Sequence, residues 1–236
     1  MPRLPLIEDL TRGQVPVGNA LLVEYDPSSQ WYNASATIAA GWLKTEGTVW
    51  YSTFSQPPDH IRLQLGRLGL NVEDLERDDR LRILDAYTVT LGQKSKENWS
   101  LPSLKAHDLS LEFLKQDMQE SASPHVLVMA DNTSVVARFN DEKAWVEFLL
   151  TRSIPARIRS RNITVRPLVS GVHSEWAYKQ LEAAVDGIVD FRLDETNKVG
   201  EKARSVMRIR FMKNIDFDGR WHPLTLGENL EVKLQE

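Results

Sequence analysis

Residues 19–44, NALLVEYDPSSQWYNASATIAAGWLK, decide how the rest of the chain is read. Residues 19–24 form a short apolar run of strand length, and residues 25–30 are a polar turn. From residue 31 to 44 the apolar positions Ala34, Ala36, Ile38, Ala39, Trp42 and Leu43 recur at helical spacing. A strand, a tight loop and a helix near the N-terminus is where an α/β protein carries a phosphate-binding loop. Such a loop needs glycines, so that consecutive backbone N–H groups can wrap an anion, and a lysine for the outer phosphates. Here the loop reads D-P-S-S-Q-W-Y, with neither glycine nor lysine, and two aromatics stand at the helix start. Ser28 and Ser29 offer hydroxyls to an anion or serve as ordinary helix caps. Three readings stay open: an αβ unit without ligand, a nucleotide fold whose pocket is filled or repurposed, and an unusual ATP site.

Outward from this stretch, the 236 residues are enough for one large α/β domain with a full core. Hydrophobic residues are 42% and charged residues 26%, a globular balance; the net charge of −4 argues against a strongly basic nucleic-acid protein. The absence of cysteine excludes disulfides, thiolate catalysis and cysteine metal sites, and fits a reducing cytoplasm. No apolar run approaches the roughly 18 residues of a membrane span, and the N-terminal residues lack an export signal, so a cytoplasmic protein is expected.

Residues 48–54, TVWYSTF, read as a second strand, and Pro57-Pro58 opens a helix packed through Ile61, Leu63, Leu65 and Leu68. Residues 72–79 are a short acidic stretch, 81–84 a strand ending in Asp85, and 88–104 a loop. A helix is predicted over about 104–119, a strand over 126–129 and an amphipathic helix over 141–152. A strand over 163–168 is followed by a helix from Ser174 with Trp176, Leu181 and Ala184 facing in. Strands at 187–193, 205–212, 222–226 and 231–234 complete the chain. Alternating strands and helices followed by sequential strands predict a mainly parallel sheet extended by antiparallel strands.

Several stretches, in order, resemble the RecA-like core of KaiC-type ATPases, including RadA-related single-domain proteins. They are QVPVG at 14–18, LLVEYDP at 21–27, VWYS at 49–52, LGRLGLN at 65–71 with LRILDA at 81–86, AVDGIV at 184–189, and the hairpin at 208–226. The resemblance spans nearly the whole chain. It implies an α/β, RecA-like P-loop NTPase fold, with a mainly parallel central sheet flanked by helices and C-terminal antiparallel strands. One KaiC-like domain over residues 1–236 is expected.

The resemblance also says where an ATPase of this kind keeps its parts. Its loop glycines and Lys-Thr pair fall on Ser28, Ser29, Gln30, Trp31 and Tyr32, and its glutamate pair on Ser55 and Gln56. Its magnesium-orienting aspartate falls on Asp131, and the hairpin residue that reaches a neighbour's nucleotide on Lys213. Neither Ser55 nor Gln56 titrates near neutrality, so neither is a useful base. Loss of the glycines, lysine, hydroxyl and base together argues for a degenerate nucleotide site with no catalytic residue, cofactor or metal. A ring of Trp31 or Tyr32 is expected to cover the vacated pocket.

The expected function is therefore that of a pseudo-ATPase acting by protein association, as a regulatory or structural partner. It would form a homo-oligomer or a complex with an active RecA-like relative. The alternatives are residual ATP binding and a recombinase-paralogue-like accessory that binds DNA through Arg157, Arg159, Arg161, Arg204, Arg208 and Arg210. The five histidines form no H-x-x-H or H-E-x-x-H motif and read as surface or cap residues. There is no G-x-S-x-G elbow beside Ser170 and His173. Trp99, in a predicted loop, is a candidate partner contact, and Trp221 is expected to pack across its hairpin.

Overall fold

The computed structural model describes residues 2–106, 108–109, 125–155, 160–194 and 203–235. Its centre is the strand read first in the sequence, β1 (Ala20–Tyr25), every residue of which is buried. β1 lies between two parallel neighbours, β5 (Ile163–Val169) and β6 (Gly187–Asp194). The remaining parallel strands are β2 (Thr48–Thr53), β3 (Leu81–Asp85) and β4 (Val126–Ala130). Three antiparallel strands, β7 (Arg204–Met212), β8 (His222–Leu226) and β9 (Val232–Leu234), extend the sheet from β6. The nine strands run in the order β3-β2-β4-β5-β1-β6-β7-β8-β9. The predicted α/β sheet with its antiparallel C-terminal extension is thus the sheet observed.

Parallel strands buried on both faces need helices on both sides. On one face α1 (Trp31–Lys44) and α2 (Pro58–Arg67) cover Leu21, Val23, Tyr51, Ile83, Met129 and Val189. Gly41 of α1 lets the N-terminal segment approach: a Cβ there would stand 2.5 Å from the Pro5 ring. On the other face α5 (Glu142–Phe148) and α6 (Glu175–Ala184) cover Ala20, Leu22 and Ile188 through Trp145, Val146, Ala177 and Leu181.

Local details depart from the sequence expectation. The acidic stretch after Asn71 is a helix, α3 (Val72–Arg77), because the Asn71 side chain accepts from the Asp74 amide and Glu73 and Asp74 suit its first turn. The predicted loop at 88–104 begins inside a single helical turn, α4 (Tyr87–Thr90), held by Thr88 N–H on Asp85 Oδ1 at 2.9 Å. Leu63 is 53% exposed, since Ile61, Leu65 and Leu68 already form the inward face of α2. Trp176 is 45% exposed for the same reason: Ala177 and Leu181 take the buried stripe of α6. The helix expected over 104–119 lies largely outside the described residues, as do His107, Arg157, Arg159, Lys198 and Lys202.

Candidate functional site

The loop 26–30 leaves the C-terminal end of β1 and delivers Trp31 as the first residue of α1. Trp31 points into the protein and is fully buried. Its indole lies 5.8 Å from the Tyr25 ring and edge-on to Phe191 at 5.3 Å, so aromatic surface from β1 and β6 encloses it. Its Nε1–H donates to the backbone carbonyl of Asp131 at 2.8 Å, across the sheet at the end of β4. The large ring thus has an apolar enclosure and a partner for its one polar atom. Trp31 is one of the two aromatics that the sequence places at the helix start.

Asp131 is also fully buried. Its carboxylate accepts from Phe54 N–H at 2.7 Å, Ser55 N–H at 2.9 Å and Ser55 Oγ at 2.8 Å, all just past β2. Burial pushes this carboxyl upward, and the Phe54 and Ser55 donors oppose that shift. The carboxylate therefore ties the end of β4 to the end of β2. Tyr32 extends the tie: its hydroxyl is 3.2 Å from Ser55 Oγ and 3.3 Å from Tyr25 Oη. Burial raises the Tyr25 phenol strongly, and its hydrogen bond with Tyr32 adds to the rise, so Tyr25 enters the chain Tyr25–Tyr32–Ser55–Asp131 as a neutral phenol. Next to it, Ser35 Oγ bonds the buried Tyr51 hydroxyl at 2.8 Å.

The loop itself is closed on its own backbone. Ser29 N–H and Ser29 Oγ both donate to the Asp26 carbonyl, at 2.9 and 2.7 Å. Ser28 is exposed, and Gln30 is the residue before the helix, its side chain accepting from Asn33 rather than capping. Asp26 presents its carboxylate to Arg192 at 2.9 Å and to the Leu193 amide. A negative side chain thus lies at the start of the loop where a triphosphate would need donors. Gln56, one residue beyond Ser55, is half-buried, and its Oε1 has no hydrogen-bond partner among the described residues.

A magnesium-bound triphosphate does not fit this set. The carboxylate that would hold the ion's water is enclosed by three donors, and the helix start that would receive phosphate is filled by an indole. Among the described residues no group of three or more His, Asp or Glu is arranged to hold a metal ion.

Lys213 is not part of this cluster. It follows β7, where Met212 pairs with Gly187 at the start of β6, and its backbone and side chain meet Asp186. Asp186 in turn accepts from the Ala20 amide at the start of β1, so Lys213 lies a strand length from the loop, roughly 20 Å at about 3.3 Å per residue. Two of the arginines in the expected basic cluster are engaged internally. Arg208 pairs with buried Asp190 at 2.9 Å, and Arg210 meets Asp190, Glu24 and Glu182 at 2.6–2.8 Å. Burial raises the Glu24 carboxyl, while Arg210 draws it down. Arg161 is exposed with φ +60°. Trp99 is not a bare loop tryptophan: it stacks with the Arg82 guanidinium at 4.6 Å, and its carbonyl accepts from Asp85. Trp221 lies under Arg208 at 4.4 Å, across the hairpin as expected.

Sequence reading missed Tyr25, Phe191 and the second role of Ser55. The signal available for Tyr25 was an aromatic ending a central strand that is aliphatic but for Glu24, two residues short of Pro27.

A mainly parallel sheet with β1 flanked by β5 and β6, and its candidate site past β1, β2 and β4, defines a RecA-like α/β protein. The chain belongs to the KaiC ATPase family, whose family model matches residues 33–235. That match begins directly after Tyr32 and includes Ser55, Gln56, Asp131 and Lys213. A UPF0273 protein of Aeropyrum pernix is 23% identical over 226 residues, covering 95% of this chain and 89% of the relative. A UPF0273 protein of Thermotoga maritima is 21% identical over 239 residues, covering 95% and 91%.

Proposed function

We propose that this protein is a KaiC-family member that does not turn over ATP and acts through association with other protein chains. One observation carries the reading: the indole of Trp31 fills the helix start and is hydrogen-bonded to the strand that ends in Asp131. Hydrolysis by this fold requires charge stabilisation at the loop and a base for water. The loop supplies neither glycine nor lysine, and the residues past β2 are Ser55 and Gln56. Internal pairing of Arg208 and Arg210 weighs against the DNA-accessory reading. An interaction role would draw on the rings left at the surface, among them Trp176, Phe211 and Trp221.

The test has two arms. Calorimetric titration with ATP and magnesium is expected to give no micromolar binding, and phosphate release is expected to stay at the buffer level. The mass of the purified chain in solution, alone and mixed with an active RecA-like relative, is expected to exceed that of a monomer in at least one case. Tight magnesium-dependent binding with turnover refutes the first half of the proposal. A strict monomer that retains labelled DNA at low salt and releases it at high salt refutes the second.

A further inference from the structure

Behind the candidate site, His173 joins two residues distant in sequence, Ser134 and Glu142, in a polar chain. Ser134 lies in the 3-10 turn Thr133–Phe139 after β4, His173 in the loop after β5, and Glu142 at the start of α5. His173 Nε2 is 2.8 Å from Ser134 Oγ, and Nδ1 is 3.5 Å from Glu142 Oε1. The imidazole stacks on Trp145 at 4.7 Å and meets the Tyr178 ring edge-on at 5.7 Å. Ser134 Oγ also accepts from the Val169 amide at 2.9 Å, Tyr178 donates to the Val169 carbonyl at 2.5 Å, and Glu142 accepts from the Ser174 amide at 3.0 Å. Ser134 thus holds the amide and Tyr178 the carbonyl of the last residue of β5, and Glu142 holds the residue that caps α6. Val169 is in register with Tyr25, the residue on which Trp31 packs.

We propose that His173, Ser134 and Glu142 form a proton-sensitive clasp that holds the loop after β5 closed beside the aromatic site, and that acid opens it. The hydrogen-bond inventory supplies the reason. In the neutral ring, Nδ1–H faces Glu142 and Nε2 accepts the Ser134 hydroxyl. A second proton on Nε2 turns that nitrogen into a donor. Ser134 Oγ then faces two donors, the ring and Val169 N–H, and its own proton loses its acceptor in a buried place. Burial pulls the His173 pKa down, and Glu142 opposes this; Ser134, Trp145 and Tyr178, the other contacts, carry no charge near neutrality. A histidine with a depressed folded-state pKa stabilises the closed form above its ordinary value and loses that contribution as pH falls through the folded value. The same burial, with the Oγ lone pair engaged by Val169, keeps Ser134 from serving as a nucleophile.

The test is an NMR titration of the full chain, with amide exchange read at Val169 and Ser174 between pH 7.5 and 5. His173 is expected to titrate below the ordinary histidine value. Exchange at those two amides, corrected for intrinsic chemistry, is expected to rise about tenfold per unit of pKa depression. Glu142→Gln keeps an acceptor for Ser174 but removes the charge that favours imidazolium, so the titration moves to lower pH and the rise in exchange grows with the deeper depression. His173→Gln is expected to abolish the pH dependence; should that variant fail to fold, the sign of the Glu142→Gln shift decides. Titration of His173 at or above the ordinary value, an upward shift in Glu142→Gln, or an unchanged rise in His173→Gln overturns the clasp.

Discussion

Replacing Trp31 by alanine tests whether the indole is a structural member of the site. The ring is fully buried between Tyr25 and Phe191, so its removal leaves a cavity lined by rigid aromatics and central strands that cannot close around it. Buried Trp→Ala changes cost about 3–5 kcal/mol, and the lost hydrogen bond to the Asp131 carbonyl belongs to the upper part of that range. A loss of about 4 kcal/mol in a chain of this size lowers Tm by roughly 8–16 °C. Trp31→Phe keeps most of the packing but loses the N–H donor and part of the ring, so its loss should fall below that of the alanine variant. Thermal and urea unfolding followed by circular dichroism measure both. The second readout is ligand. If the loop cannot grip phosphate even when unblocked, millimolar ATP with magnesium leaves the Tm of Trp31→Ala unchanged, because a ligand stabilises only by binding the folded state. A loss under about 1 kcal/mol would refute the packing argument. A rise in Tm with ATP, confined to the alanine variant, would refute the argument about the loop.

The other expectations concern the framework around the site. Asp190→Asn removes the buried charge shared by Arg208 and Arg210, and should cost about 3 kcal/mol, at the lower end for a buried pair because both guanidinia are partly exposed; urea unfolding measures it. Gly187→Ala places a Cβ 2.2 Å from Met212 Sδ and 2.7 Å from Leu21 Cδ2, so a loss of about 1–3 kcal/mol is expected in the same assay. Asp131→Asn turns one carboxylate oxygen into a donor facing the donors of Phe54 and Ser55, and should cost about 2–3 kcal/mol without altering any basal phosphate release. A stable Asp131→Asn protein would show that the tie between β4 and β2 is not structural.

Much of the fold was legible because β1, α1 and the alternation after them are strong periodic signals. Their order alone predicts a parallel sheet with an antiparallel end. Trp31 was legible too, as a bulky residue where a phosphate-binding helix start requires space. Helix faces were harder to read where apolar residues outnumber the buried stripe: Leu63 and Trp176 are apolar but lie off the lines set by Ile61–Leu65–Leu68 and Ala177–Leu181. The clasp was illegible because Ser134, Glu142 and His173 share no spacing motif. Three separate connections bring them together, and a buried histidine and a surface histidine look the same in a sequence. The internal use of Arg208 and Arg210 was hidden for a similar reason: their partners Glu24, Glu182 and Asp190 come from β1, α6 and β6.

The two ends of β1 point to one physical consequence. At its start, Asp186 accepts the Ala20 amide and pairs with Lys213; at its end, Asp26 holds Arg192. Between them, Glu24 meets Arg210 and Arg192 on the face covered by α6. The charges that cluster along the central strand are thus matched to one another within the chain, and a polyanion approaching them would have to displace a carboxylate from each arginine it took. Taking an arginine from buried Glu24 leaves a buried charge without that partner, which costs more than a surface phosphate contact returns. The aromatic side chains at the surface meet no such obstacle, since Trp176 and Phe211 already give up water-exposed apolar area when covered. In the proposed association, contacts through these rings would be favoured over contacts through Arg192, Arg208 and Arg210, and they should weaken little between low and high salt, whereas contacts made by arginines would fall steeply.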